Sequence, residues 1–238
     1  MLSQAEATQI GEKIFFNECA GKEALLTSWN RGEAFPSLGI GHFIWYPTGT
    51  SGPFKESFPE LIRYMQASDA NIPDWIVEAI EHGAPWPSRT LFLNAQDSAR
   101  MQQLRDFLAE TKHLQTKFMV KRLNRALPTM LATVSGSQKA KIEQQFQRVA
   151  SAPMGYYALI DYVNFKGEGV KTSERYQDQG WGLLQVLEVM DESKPPLAAF
   201  ADAAKKVLAR RVVNSPADRG EKRWLPGWYK RISTYISE

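Results

Sequence analysis

The side chain best placed for chemistry is Glu18. Ile10, Ile14 and Glu18 fall four residues apart, so a helix carries them on one face and the carboxylate ends an otherwise apolar stripe. Partial burial disfavours the charged form of a carboxyl, which is what a general acid needs to keep its proton near neutral pH. A Glu at a helix end also serves as a solvated or hydrogen-bonded terminus, and periodicity alone does not separate the two uses. Downstream, Ser37-Leu38-Gly39-Ile40-Gly41-His42-Phe43 holds two glycines that permit backbone conformations closed to other residues and let a ligand approach the main chain. His42, His82 and His113 show no short ligand spacing, and the single cysteine, Cys19, excludes a thiolate-rich site, so no metal and no cofactor is expected. Neither a phosphate-cradling Gly-x-x-x-x-Gly-Lys-Ser/Thr loop nor a Gly-x-Ser-x-Gly elbow occurs, and Cys19 has no neighbouring base; nucleotide hydrolysis and thiol catalysis drop in rank.

Helices must position these groups. Ser3-Gln4-Ala5-Glu6 fits a capping box, and Ala7, Ile10 and Ile14 follow at helical spacing, so the first helix runs from near Ser3 to Asn17 or Glu18. Between Thr27 and Gly52 the pattern changes. Gly32, Gly39, Gly41, Gly49 and Gly52 punctuate a stretch in which Ile40, Phe43, Ile44, Trp45 and Tyr46 favour strand, which predicts an antiparallel hairpin or three-stranded sheet. Helical patterns then return near 56–66, 73–82, 95–111, 113–133, 137–150, 154–164, 178–191, 196–213 and 225–236, with Asn94 as an N-cap and Pro195-Pro196 at a helix start. Gly83-Ala84-Pro85-Trp86-Pro87 and Ser215-Pro216 read as loops, no internal repeat appears, and one domain over 1–238 is expected.

A helix ending in Glu, followed by Ser37-x-Gly39-x-Gly41-His42 inside a small sheet, resembles the phage-type lysozymes. Their fold places a catalytic Glu at a helix end and a threonine-x-glycine-x-glycine-histidine turn in the sheet that follows. The resemblance implies an α+β, mostly α, lysozyme-like fold, with a small antiparallel β-hairpin lobe at 27–52 and a larger helical lobe. It gives Glu18 the general-acid role and Ser37 the position that holds a water or a sugar hydroxyl. His42 is mainly structural in that comparison and is grouped with the substrate-binding side chains. Phage lysozymes carry an aspartate six residues before the threonine; here Arg31 stands there, and a guanidinium cannot act as a general base. The interval from Glu18 to Ser37 is closer to that of the lysozyme-like chitosanases, a comparison that moves the second carboxylate to Glu33. Lytic transglycosylases of the same superfamily manage with one catalytic Glu. Glycosidases commonly use two carboxylates, so hydrolysis with Glu18 and Glu33 and transglycosylation with Glu18 alone both stay open.

Two later segments supply further polar groups. Tyr162-Val163-Asn164-Phe165-Lys166-Gly167-Glu168-Gly169 ends a helix in a glycine-flanked turn, where Asn164, Lys166 and Glu168 could meet sugar hydroxyls; an exposed C-cap is the plainer use of the same residues. Gly180-Trp181-Gly182-Leu183-Leu184-Gln185 resembles the glycine-leucine-methionine-glutamine signature of lytic transglycosylases, which makes Gln185 a binding residue and leaves Trp181 as core in the structural alternative. Among the seven tryptophans, Trp29 and Trp45 flank the Glu18 region with Asn30 and are the ones expected to stack on sugar rings, while Trp224-Leu225-Pro226-Gly227-Trp228-Tyr229 reads as a packing motif.

Composition sets the outer bounds. With 43% hydrophobic and 23% charged residues, the 238-residue chain belongs among folded globular proteins. No run of about 18 apolar residues suggests a membrane span, and no basic n-region with an apolar h-region opens the chain. Its compartment stays open: periplasmic or secreted if a signal was removed, otherwise cytoplasmic. Net charge is +3, yet residues 205–231 alone hold nine basic side chains against Asp218 and Glu221. Such a face attracts an anionic partner, or is a solvated helical surface. The expected partner is a polysaccharide, peptidoglycan before chitosan, with nucleic acid ranked lower. The expected activity is glycoside hydrolysis or lytic transglycosylation of a β-1,4-linked aminosugar polymer; the alternative is a lysozyme-like protein that binds a glycan or a protein without cleaving. The whole chain also resembles a group of bacterial lysozyme-like proteins.

Overall fold

A computed structural model describes residues 2–52 and 54–236. Helix accounts for 62% of the chain and strand for 5%, so the α+β, mostly α expectation holds, with the small sheet where the glycine-punctuated stretch predicts it. The sequence reads as one domain; the structure divides into two compact units, Met1–Met119 and Val120–Glu238.

The first unit opens with α1 (Gln4–Cys19), and the expected capping box is present: the Glu6 amide donates to Ser3 Oγ at 3.2 Å and the Ser3 amide donates to Glu6 Oε2 at 2.9 Å. Two orphan amides at the helix start are satisfied in this way. Ala7, Ile10 and Ile14 are buried along one face, and Gly11 lies so close to a later helix that an added Cβ would stand 2.9 Å from Thr116 Oγ1. After a 3-10 turn (Glu23–Leu26) come β1 (Thr27–Ser28), β2 (Ser37–Leu38) and β3 (Phe43–Ile44), antiparallel in the order β1-β2-β3, with Ser37 opposite both Ser28 and Ile44. Then follow α2 (Phe58–Gln66), α3 (Asp74–Ala79), α4 (Arg89–Asn94), α5 (Ala99–Glu110) and α6 (Lys112–Ala132). The unit boundary falls inside α6. Buried Arg105 on α5 ties helix to sheet, donating from Nε to Thr27 Oγ1 at 2.9 Å and from its terminal nitrogens to Gln96.

Two local expectations fail here. Asn94 does not cap α5; it is the last residue of α4, and the Ser98 side chain caps α5 by accepting from the Met101 amide at 3.2 Å. The short α4 escapes the sequence pattern because Pro85 and Pro87 make its approach look like loop, although the Ser88 side chain is its N-cap.

The second unit holds the end of α6, α7 (Gly136–Ala150), α8 (Gly155–Lys166), β4 (Arg175–Tyr176), β5 (Gln179–Gly180), α9 (Leu183–Glu188), α10 (Pro196–Asn214) and α11 (Leu225–Ser233). α10 packs on α7, α9 and α11, and Pro196 sits in its first turn as expected. The helix expected over 178–191 starts only at Leu183. Its first residues belong to the β4–β5 hairpin, whose two turn residues, Gln177 and Asp178, both take positive φ (49° and 60°). Such a primed two-residue turn usually advertises itself with Asn-Gly or Asp-Gly, and Gln-Asp does not.

Candidate functional site

Glu18 lies in the last turn of α1, which ends at Ala20 in a left-handed conformation (φ 50°). Its side chain is only 15% exposed, and Oε2 stands 3.9 Å from Nδ1 of His42, the residue that closes the glycine turn. The carboxyl therefore points at that turn rather than into bulk solvent. Cys19, next in sequence, is buried, and its thiol is pushed up to about 11, first by burial and then by the charge of Glu18. A thiol so shifted stays protonated and inert near neutral pH.

The turn itself is pinned from two sides. The Gly39 amide donates to the Leu26 carbonyl at 2.8 Å, and the Ile40 amide donates to Oε1 of Gln115, a fully buried side chain on α6, at 2.9 Å. Gln115 in turn donates to the Leu108 carbonyl at 2.6 Å. The glycines are explained by this packing and not by the approach of a ligand. Gly39 has φ +69°, and an added Cβ would collide with Gln115 Oε1; at Gly41 it would meet the Phe43 ring at 2.5 Å. Gly39→Ala is expected to cost more than about 1 kcal/mol, from left-handed backbone strain alone, and to lower the melting temperature by several degrees in a thermal scan. An unchanged melting temperature would show that the turn is not held as described.

Ser37 is buried on the central strand, and His42, itself at φ 47°, keeps a half-exposed side chain. Asn30 and Glu33 share the β1–β2 loop: Asn30 Nδ2 donates to Glu33 Oε2 at 3.2 Å, and the Trp29 indole donates to the Glu33 carbonyl at 2.8 Å. The tryptophan expectations are overturned. Trp45 is completely buried and stacked on Phe58, with centroids 4.7 Å apart, and Trp29 is buried edge-on against Phe92. Neither ring offers a face to a sugar; both are packed into the core.

In the second unit, Asn164 is exposed and Lys166 is half-buried at the end of α8. Lys166 Nζ rests 3.6 Å from the ring centroid of Trp228 and 3.9 Å from that of Phe165. Burial, with Arg211 nearby, lowers its ammonium to about 7. The unfolded chain holds this proton up to about 10.5, so the cost of charging Lys166 is fully present below about pH 7 and fades as pH rises to the unfolded value. Lys166→Met is expected to raise the melting temperature at pH 6, with a gain that shrinks toward pH 10; a gain independent of pH would mean that the charge is not the cause. Glu168 is raised by burial and by Glu174.

Gln185 does not present its amide to a ligand. Its Oε1 accepts from the Gly182 amide at 3.1 Å and its Nε2 donates to the Gly169 carbonyl at 3.2 Å, so it clamps the turn after α8 to the start of α9. Trp181 is buried, as the core alternative expects.

The strongest polar features of this unit do not stand out in the sequence. Buried Asp161 accepts from Nε and Nη2 of Arg231, both at 2.8 Å, and from the Tyr235 hydroxyl at 2.7 Å. Buried Glu221 accepts from Arg211 at 2.7 and 2.9 Å, from Arg219 at 3.0 Å and from Tyr176 at 2.9 Å. Burial alone would raise Glu221, but these donors outweigh it and hold the carboxyl down at about 2. A faint signal exists: Asp161 interrupts the apolar run Ala158-Leu159-Ile160-Asp161-Tyr162, and Glu221 is one of two acids among nine bases.

Among the described residues no group of three His, Cys, Asp or Glu side chains converges as a metal site, and no helix is long and apolar enough to cross a membrane. Compared with known proteins, the chain matches no protein-family model, no curated protein and no solved structure.

Proposed function

We propose that the chain is a lysozyme-like glycosidase acting on a β-1,4-linked aminosugar polymer, peptidoglycan before chitosan, with Glu18 as general acid. One observation carries this: a largely buried carboxyl at a helix end faces, at 3.9 Å, the histidine of a glycine turn that is anchored to a three-stranded sheet. Proton transfer from Glu18 to the glycosidic oxygen accompanies cleavage of the bond from that oxygen to the anomeric carbon. The sugar cation is then captured by water or by a hydroxyl of the same sugar, and the carboxylate takes back a proton. Mass spectrometry of a peptidoglycan digest distinguishes the two captures, because a reducing end marks hydrolysis and an anhydro-sugar end marks transglycosylation. If purified walls release no soluble fragments with the unmutated protein, the catalytic proposal fails.

A second proposal has specific support. Arg31 occupies the position where the phage-type pattern has its aspartate, and the Glu33 carboxylate is engaged by Asn30. A protein that binds walls and never releases fragments would be a non-catalytic member of the same fold class.

A further inference from the structure

We infer that Lys166, Trp228, Trp224 and Arg223 form a binding surface for a carboxylate-bearing polysaccharide; this rests on the glycan-directed function proposed above. The two units differ in charge: Met1–Met119 carries ten basic and fourteen acidic side chains, a net of −4, while Val120–Glu238 carries nineteen and twelve, a net of +7. Within the second unit the buried carboxylates Asp161 and Glu221 account for Arg231, Arg211 and Arg219. Lys166 is left over. Among the described residues its ammonium makes no ion pair or hydrogen bond: Glu221, already shared by Arg211 and Arg219, acts on it only through its charge, and its close neighbours are the faces of Trp228 and Phe165. A cation resting on a ring gains less than the water that a half-buried ammonium gives up. An incoming carboxylate would supply the missing partner.

The rings continue outward. Trp224 lies 6.1 Å from Trp228 with 39% of its surface exposed, and the Arg223 guanidinium sits 5.0 Å from the centre of the Trp224 ring, without a carboxylate partner among the described residues. A flat, wet indole suits the apolar face of a pyranose, and the adjoining cations suit acid groups on the same chain. Arg211 and Arg231 already hold carboxylates here through two nitrogens each, so the chemistry of the cluster matches that anion. Lys166 and Arg223 are set against rings rather than in a row, which fits sparse sugar acids better than the dense charge of a nucleic-acid backbone.

Tryptophan fluorescence of the full chain tests this during titration with oligogalacturonate, neutral N-acetylglucosamine oligomers and a single-stranded oligodeoxynucleotide. Oligogalacturonate is expected to bind in a salt-sensitive manner. Lys166→Met and Trp224→Ala, each checked for folding by circular dichroism, are expected to weaken it roughly tenfold, and Arg223→Gln on the open surface serves if either misfolds. Unchanged affinity in folded variants, equal binding of the neutral oligomers, or tighter binding of the oligonucleotide would overturn the proposal. Glu18→Gln separates this proposal from the catalytic one. Oligogalacturonate binding that survives while wall fragments are never released, even by the unmutated protein, sinks only the catalytic proposal. Release without that binding sinks only this one.

Discussion

Glu18→Gln is expected to cut the release of soluble muropeptides from purified cell walls by about 10²- to 10⁴-fold, the usual contribution of a general acid. The amide keeps the size of the carboxyl and loses its transferable proton and its charge, and Glu18 contributes no core packing comparable with Ile10 or Ile14. Its thermal stability should therefore stay near that of the parent, which separates a lost proton donor from a lost fold. The readout is the initial rate of fragment release, followed by turbidity and confirmed by chromatography. Parental activity in the Glu18→Gln variant would remove the carboxyl from the mechanism altogether.

The largest effect on stability is expected at Glu221. Glu221→Gln removes the charge shared by Arg211 and Arg219 and leaves cations without their carboxylate, a loss of about 3–5 kcal/mol for a buried pair broken on one side. Chemical denaturation at pH 7 measures it, and the midpoint should fall without a change in slope. The parent carries a matching pH signature. Its folded-state carboxyl is depressed to about 2 from an ordinary 4.5, so the stabilisation is complete above about pH 4.5 and is lost as the pH falls toward 2. The variant lacks that contribution, and the two stability curves should converge in acid. Curves that stay parallel down to pH 2 would assign the cluster a purely steric role.

Much of the fold is legible where local chemistry and periodicity agree. Ser3 and Glu6 announce the start of α1, Pro196 that of α10, and the glycine-rich stretch the three-stranded sheet. Legibility fails where tertiary partners decide. Gln177 and Asp178 adopt the positive φ of a tight hairpin without the usual turn residues. Trp45 and Trp29 neighbour the Glu18 region in sequence, yet their rings are spent on the core. The Gly39–Gly41 pattern does signal backbone freedom, but the group that exploits it is Gln115, which the fold brings in from 75 residues beyond Ile40. The buried ions Asp161 and Glu221 have partners on separate helices and turns, which one-dimensional spacing does not pair.

The inert thiol beside Glu18 has a practical consequence. Cys19 is the single sulfhydryl of the chain and is sealed from solvent in the native state, so an alkylating reagent can reach it only when the end of α1 opens. The rate of that labelling is a clock for fraying of the helical turn that carries the carboxyl, and it can be timed with and without wall fragments present.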